Sequence, residues 1–220
     1  MKISKDTLST LKCLSAVNTN LLLKPGNKIA TISPQKNVVA EVSVAETFPE
    51  QFGIYDLGEF LGVLSLFGDA DVEFSEKHVT IREGGSSIKY FAADPSILVV
   101  PTKPLNFPNA EVEFRLPAAT LAMAIKTAGV LRSPDVSFEG DGTTVHMSIA
   151  DLKNPSANSF SMIVGESDVV FKSNLKVENL KMMPGDYDVA LTSKKISRFK
   201  NANNGAVFYV ALELTSTMAV

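Results

Sequence analysis

KDTLSTLKCLSAV, residues 5–17, and AATLAMAIKTAGV, residues 118–130, carry the decisive pattern of this chain. Each opens on a Thr-Leu pair, Thr7-Leu8 and Thr120-Leu121, at an offset of 113 residues. In the first stretch Leu8, Leu11 and Leu14 fall within one arc of a helical wheel, with Lys5 and Lys12 together on its flank. Ser4 and Asp6 supply N-cap chemistry for a helix that runs to about Val17. In the second stretch Leu121, Ala124, Ile125 and Ala128 share a side, and Lys126 lies nearly opposite. A short alternating strand precedes each helix, MKIS in one case and EVEFRL in the other, and three strands follow. The same order over residues 1–45 and again over 111–165 predicts a duplicated module and an α+β fold.

Outward from the first helix, LLLK, the turn Pro25-Gly26-Asn27-Lys28 and KIATIS read as a hairpin, and NVVAEVSV as a third strand. YDLGEFLGVLSLF places Leu57, Phe60, Leu61 and Leu64 at helical spacing and ends at Gly68-Asp69. DVEFSE, HVTIRE and SSIKYFAA then form a meander, its last two strands joined through Gly84-Gly85. Residues 96–110 carry Pro101, Pro104 and Pro108, which disfavour both helix and central strand. That stretch is the expected linker between a domain of residues 1–95 and one of residues 111–220. Beyond the second helix, VSFEG, TVHMSIADL and SFSMIVGE read as strands, and KVENLKMM as a short helix stopped by Pro184-Gly185. YDVALTS, KISRFKN and AVFYVALEL close the chain as strands. The short helix carries Lys176 and Lys181 where the first half has Asp56 and Glu59.

Composition narrows the function. With 220 residues and 45% hydrophobic content, each half can fill a core. One cysteine, Cys13, excludes an internal disulfide and fits a reducing compartment. MKISKDTLSTL lacks the apolar run of a secretory signal, and no window reaches the ~20 apolar residues of a membrane span, so a cytoplasmic protein is expected. A net charge of -3 argues against a uniformly basic nucleic-acid coat but allows positive charge confined to one surface. His78 and His146 lie in alternating strands with no acidic or cysteine ligand at metal spacing. Gly84-Gly85-Ser86-Ser87 lacks the Lys-Ser/Thr ending of a phosphate loop, and the pairs Asp69/Asp71 and Asp186/Asp188 read as turn chemistry. No metal, cofactor or catalytic constellation is expected.

KDTLSTLK, IYDLGEFLGVLSLF, AADPSILVVPTKPLNFP, KMMPGDYDVAL and YVALEL, in that order along essentially the whole chain, resemble the DNA polymerase sliding clamp of T-even-type bacteriophages. IYDLGEFLGVLSLF and AADPS are the most specific segments. The resemblance implies the DNA clamp fold: two clamp domains per chain, helices lining the inside, antiparallel sheets outside, and three identical chains closed into a ring. It implies that the homotrimer encircles duplex DNA without sequence preference, is loaded by an ATP-driven clamp loader and tethers the replicative DNA polymerase. It further implies a sliding activator of late transcription, acting with late-transcription factors in the cytoplasm of the infected bacterial host. A non-enzymatic, β-rich oligomeric structural protein of a virus is the other class left open.

A sliding contact must attract phosphates without reading bases, which calls for Lys and Arg along the inner helices. Lys5, Lys12, Lys126, Arg132, Lys176 and Lys181 are the expected DNA-facing residues; the bland alternative is ordinary solvated charge. The helix of residues 56–67 supplies no cation, so it is expected to contribute little or to repel. The resemblance places one subunit edge at Tyr90 and Phe91 and the matching edge at Phe160, Met162 and Val164, although alternation equally allows these as internal core. It places the pocket for a partner's apolar tail at Val99, Val100, Leu105, Phe107 and Met218, each of which also suits a linker anchor.

Overall fold

The first of the two sequence stretches forms helix α1, Lys5–Ser15, in the computed structural model, which describes residues 1–219. The Ser4 hydroxyl accepts from the Thr7 amide at 3.2 Å, and Thr7, Thr10, Leu11 and Leu14 turn inward. A second cap arrives from far along the chain: Glu46 accepts from the Ser4 amide and from the Thr7 hydroxyl. The chain divides into two compact units, Met1–Pro104 and Leu105–Val220, and the division falls inside the proline-rich stretch.

In the first unit α1 is followed by β1, Leu21–Leu23; β2, Gly26–Ile32; β3, Val38–Phe48; and β4, Phe52–Ile54. Then come α2, Leu57–Ser65; β5, Asp71–Phe74; β6, His78–Glu83; and β7, Ser86–Phe91. The expected hairpin across Pro25-Gly26 does not form. β1 pairs instead with β4, Leu21 opposite Ile54, while β2 pairs with β3. Pro25 has no amide to donate and Gly26 sits at φ +113°, so this corner redirects the chain from one ladder to another. The meander β5-β6-β7 is antiparallel as read. MKIS is not a strand: only Met1 joins the ladder, exchanging hydrogen bonds with Val72 at 2.8 and 2.7 Å, because Ser4 is committed to capping α1.

The second unit runs β8, Val112–Leu116; α3, Ala118–Leu131; β9, Asp135–Asp141; β10, Thr144–Ala150; and β11, Phe160–Glu166. It continues β12, Val170–Lys176; β13, Tyr187–Leu191; β14, Ile196–Asn201; β15, Val207–Ala211; and β16, Thr217–Met218. β11-β10-β9-β12-β16 form one antiparallel sheet, and β13 pairs with both β8 and β14, which in turn pairs with β15. The short helix read over KVENLKMM is absent; β12 occupies the segment up to Lys176, followed by one 3-10 turn, Val177–Asn179. Seven consecutive pairings to β9, with Phe171 and Leu175 buried, hold the chain extended through Lys176, the first residue of the expected helix.

Each unit has its own aromatic core. In the first, Phe48 and Phe52 meet Phe74 edge-on at 5.7 and 5.6 Å, and Phe52 lies 6.4 Å from Phe60 of α2. In the second, fully buried Tyr187 meets Phe199 and Phe208, each at 6.3 Å, while Leu121, Ala124 and Ala128 of α3 pack inward. Ile125, expected on that side, is 42% exposed, because three residues fill a narrow arc and Ile125 falls on its flank. Like α1, α3 is capped from far along the chain: Asp186, the residue before β13, accepts from the Ala118 amide at 2.8 Å and from Arg115 at 3.2 Å. The duplication read in the sequence therefore extends to how the leading helices are capped.

Candidate functional site

The sequence pattern of α1 puts Lys5 and Lys12 on its exposed side, with Ser9 between them. Neither lysine forms an ion pair among the described residues. Lys12 also lies in the last turn, where the helix dipole favours a cation. Cys13, on the same helix, is largely buried, and burial pushes its thiol up to about 11, which suits packing and leaves it a poor nucleophile. Packed against α1, α2 is capped by Asp56, which accepts from the Gly58 and Glu59 amides at 2.8 and 3.1 Å. Its exposed positions are Gly58, Glu59, Gly62 and Ser65, with no cation.

On α3 the exposed face is mostly apolar: Met123 is 50% and Val130 74% exposed, with Lys126 the one charge within the helix. Arg132 follows as its C-cap in the left-handed region, φ 54°, with Ser133 donating back to the Ala128 carbonyl at 2.9 Å. Lys181 is exposed beyond the 3-10 turn. Lys176 is different. Its ammonium pairs with Asp135, whose side chain is 2% exposed, and that hydrogen bond raises the lysine pKa further. A charge committed to a buried carboxylate offers little to a phosphate, so Lys176 leaves the DNA-facing set.

The two expected subunit edges are terminal strands of their sheets, β7 in the first unit and β11 in the second. Tyr90 does not belong to an exposed contact. Its ring packs on Phe60 at 5.1 Å and its hydroxyl donates to the Asp56 carbonyl at 3.3 Å. Burial, followed by the charges of Glu59 and Asp56, pushes its phenol up to about 12. Alternation turns Phe91 the other way, 69% exposed. On β11, Phe160, Met162 and Val164 are half-buried, while Ile163, absent from the expected set, is 61% exposed. Val145 faces Gly165 and His146 faces Ile163, so Val164 is the extra residue of a bulge. Ile163 precedes that bulge and shares a face with exposed Ser161, opposite the face of Phe160 and Met162.

Of the expected tail-pocket residues, Val100 lines a cleft of about 250 Å³ together with Leu22, Lys24, Pro25, Lys28, Ala30 and Pro101, all in the first unit. Beside it the Val99 backbone is pinned at both ends: its carbonyl accepts from Asn18 Nδ2 at 2.8 Å and its amide donates to Asn20 Oδ1 at 3.0 Å. Ahead of it Gly53 hydrogen-bonds Ala93, and a Cβ at Gly53 would overlap the Ala93 carbonyl. Leu105 and Phe107 belong to the second unit, where Phe107 packs on Tyr209 at 5.8 Å beneath the Arg198 guanidinium, 4.9 Å from its ring centroid. Phe107 is thus an anchor. Met218 sits in β16, paired with Phe171. Nothing local in LLLKPGNK marks it as a pocket wall, because its apposition to Val100 spans more than 70 residues.

Comparison with known proteins agrees with this architecture. Residues 4–100 match the DNA polymerase processivity factor family. The sliding clamp of Vibrio phage KVP40 is 31% identical over 90% of this chain and 94% of its own length. That of Enterobacteria phage T4 is 31% identical over 99% of both chains. The PCNA structure from Thermococcus kodakaraensis superposes with a TM-score of 0.72 at 14% identity, covering 95% of this chain and 96% of its own, which establishes the shared fold. These matches decide between the two classes left open by the sequence, and the chain belongs to the sliding clamps, the DNA polymerase processivity factors of the T-even-type phages.

Proposed function

We infer that three copies of this chain close head to tail into a ring around duplex DNA and hold the replicative polymerase on its template. The observation that carries this is the pair of unlike terminal strands, β7 and β11, each presenting an exposed apolar residue, Phe91 and Ile163. A contact between unlike edges is heterologous, and it yields a closed ring when the rotation per copy closes. Burying those two side chains contributes about 1–2 kcal/mol each, on top of main-chain pairing between strands. Such a ring needs no reaction of its own; its work is topological.

Lys5, Lys12 and Lys126, with Arg132 and Lys181 more peripheral, supply sequence-independent attraction to phosphates. An acidic α2 and a largely apolar α3 face keep that attraction weak, which a sliding ring tolerates because linkage rather than affinity retains it. Opening by an ATP-driven clamp loader, docking of polymerase and loader tails at the Val100 cleft, and activation of phage late transcription in the host cytoplasm complete the proposal. The test is retention on nicked circular DNA against linear DNA after loading with the cognate loader and ATP. Retention on the circle and rapid loss from the linear form is expected; equal loss from both overturns the ring. Lys5→Gln with Lys12→Gln should lower the salt slope of binding by about two, and Lys176→Gln should leave it unchanged.

A further inference from the structure

We propose that Lys89 of β7 and Glu166 of β11 select head-to-tail closure, meeting across each subunit boundary in a register that the bulge in β11 dictates. This rests on the proposed ring for the meeting of the two edges and goes beyond it in assigning their charge and alignment. Each edge carries one charge on the face of its exposed apolar residue. On β7 the face of Phe91 continues through Lys89 to Ser87, all three exposed, because alternate side chains share a face. On β11 the face of Ile163 begins at Ser161, and plain alternation would carry it on to Gly165. The bulge changes that. Ile163 pairs with His146, Gly165 with Val145 and Glu166 with Thr144, so Val164 is the residue without a place in the ladder. Gly165 is thereby turned inward, where an added Cβ would lie 3.0 Å from Phe114 Cβ. Glu166 takes the outward place one step along from Ile163.

The two charges are opposite in sign and uncommitted. Lys89 and Glu166 are both exposed and form no ion pair among the described residues. Behind Lys89 stand Thr80 and then Glu73, whose carboxylate is already paired with Arg82 at 3.5 Å. Behind Glu166 stands Thr144, whose amide and hydroxyl both donate to Asp141, at 2.7 and 3.0 Å. The β11 side is therefore acidic to a second row, and a cation from another chain fits it.

Direction and register follow when Phe91 of one copy is set against Ile163 of the next. With the strands antiparallel, Lys89 falls opposite Glu166, so the apolar pair and the charged pair form together. With the strands parallel, Lys89 falls opposite Ser161 and Glu166 passes the end of β7. Without the bulge, Lys89 would meet a glycine. The same two charges reject contacts between like edges: two β7 strands bring Lys89 toward Lys89, and two β11 strands bring Glu166 toward Glu166. That rejection matters because each edge also presents an exposed apolar residue, and self-pairing of either edge gives a closed dimer instead of a ring.

The test is sedimentation equilibrium of the full chain at low salt. Lys89→Glu and Glu166→Lys, made singly, each put like charges at every boundary. Each should weaken a boundary about fivefold and a ring of three about a hundredfold, which raises the concentration at which trimers dissociate about tenfold. Lys89→Glu combined with Glu166→Lys restores opposite charges and should bring that concentration back to within about twofold of the unsubstituted chain. In about 1 M salt all four proteins should converge. Both residues are exposed, so folding is not at issue. Register is read separately by diamide oxidation: Lys89→Cys with Glu166→Cys should give covalent trimers, and Lys89→Cys with Ser161→Cys should not, with the unsubstituted chain and its Cys13 as control. Single reversals without effect, a double reversal as weak as the single ones, or crosslinking through Ser161 in place of Glu166 each overturn the assignment. Trimers indifferent to these charges overturn the charge pair alone, whereas an unsubstituted chain that is monomeric at every concentration and is lost from nicked circular DNA overturns the ring with it.

Discussion

The two units share a plan and differ in what stabilises it. The first closes with a second helix, α2, and relies on aromatic contacts between that helix and its sheet, Phe60 with Phe52 and Tyr90. The second has only a 3-10 turn at that point and instead ties β9 to β12 over seven residue pairs, finished by the Asp135–Lys176 ion pair. In the first unit the corresponding ladder is three pairs long, and its ion pairs, Lys2–Asp69 and Arg82–Glu73, are exposed. A duplicated scaffold can thus trade a helix for a longer ladder and a buried charge pair while keeping its leading helix in place.

That contrast can be broken at several points. Asp135→Ala strands the Lys176 ammonium beside a buried position and frees the Leu152 amide, which donates to Asp135 at 3.1 Å. It should cost the second unit about 3–4 kcal/mol by urea unfolding, and Lys176→Met added to it should recover a good part. A mild effect from Asp135→Ala would show that the ladder alone suffices. Gly53→Ala, which forces the Ala93 carbonyl aside, should cost the first unit about 2 kcal/mol and leave the second untouched.

The shared caps offer a subtler probe. Burial raises the pKa of Glu46, but the Thr7 hydroxyl and the Ser4 amide outweigh it and hold the carboxyl below its ordinary 4.5. Its folded-state value is depressed, so its contribution is present above pH 4.5 and is lost as pH falls through the lowered value. Glu46→Gln should cost about 1 kcal/mol at pH 7 and flatten the acid limb of thermal stability measured from pH 6 to 3. Asp186, held down by the Ala118 amide and then by Arg115, should act in the same direction on α3. The smallest change expected is a gain: Arg132→Gly relieves a left-handed residue and should add about 0.5–1 kcal/mol while weakening DNA retention. A loss of stability there would mean that the Arg132 side chain holds the end of α3.

What could be read from the sequence was what neighbouring residues decide. α1, α3 and the meander follow from apolar spacing within a dozen residues, and the Thr-Leu repeat gave the duplication. β12 did not, because VFKSNLK lacks clean alternation and its pairing partners in β9 lie 29 to 41 residues away. The same holds for β1, whose mate is β4 and not the adjacent strand. At the site, exposure of Lys5, Lys12 and Lys126 was legible from wheels, whereas Lys176 could not be separated from them without the carboxylate 41 residues upstream. The cleft was found through one residue, Val100, since its other wall is set by the redirected Pro25-Gly26 corner.

Capping at long range also orders events in time. Glu46 reaches back 42 residues to Ser4, and Asp186 reaches back 68 to Ala118, so neither leading helix is complete until a distant segment has docked. The longer loop adds only about 0.4 kcal/mol of closure entropy, so the two units should nucleate at comparable speed. Each helix then becomes a late reporter of its own sheet: fluorescence or exchange signals from α1 and α3 should rise with β-structure formation and not ahead of it.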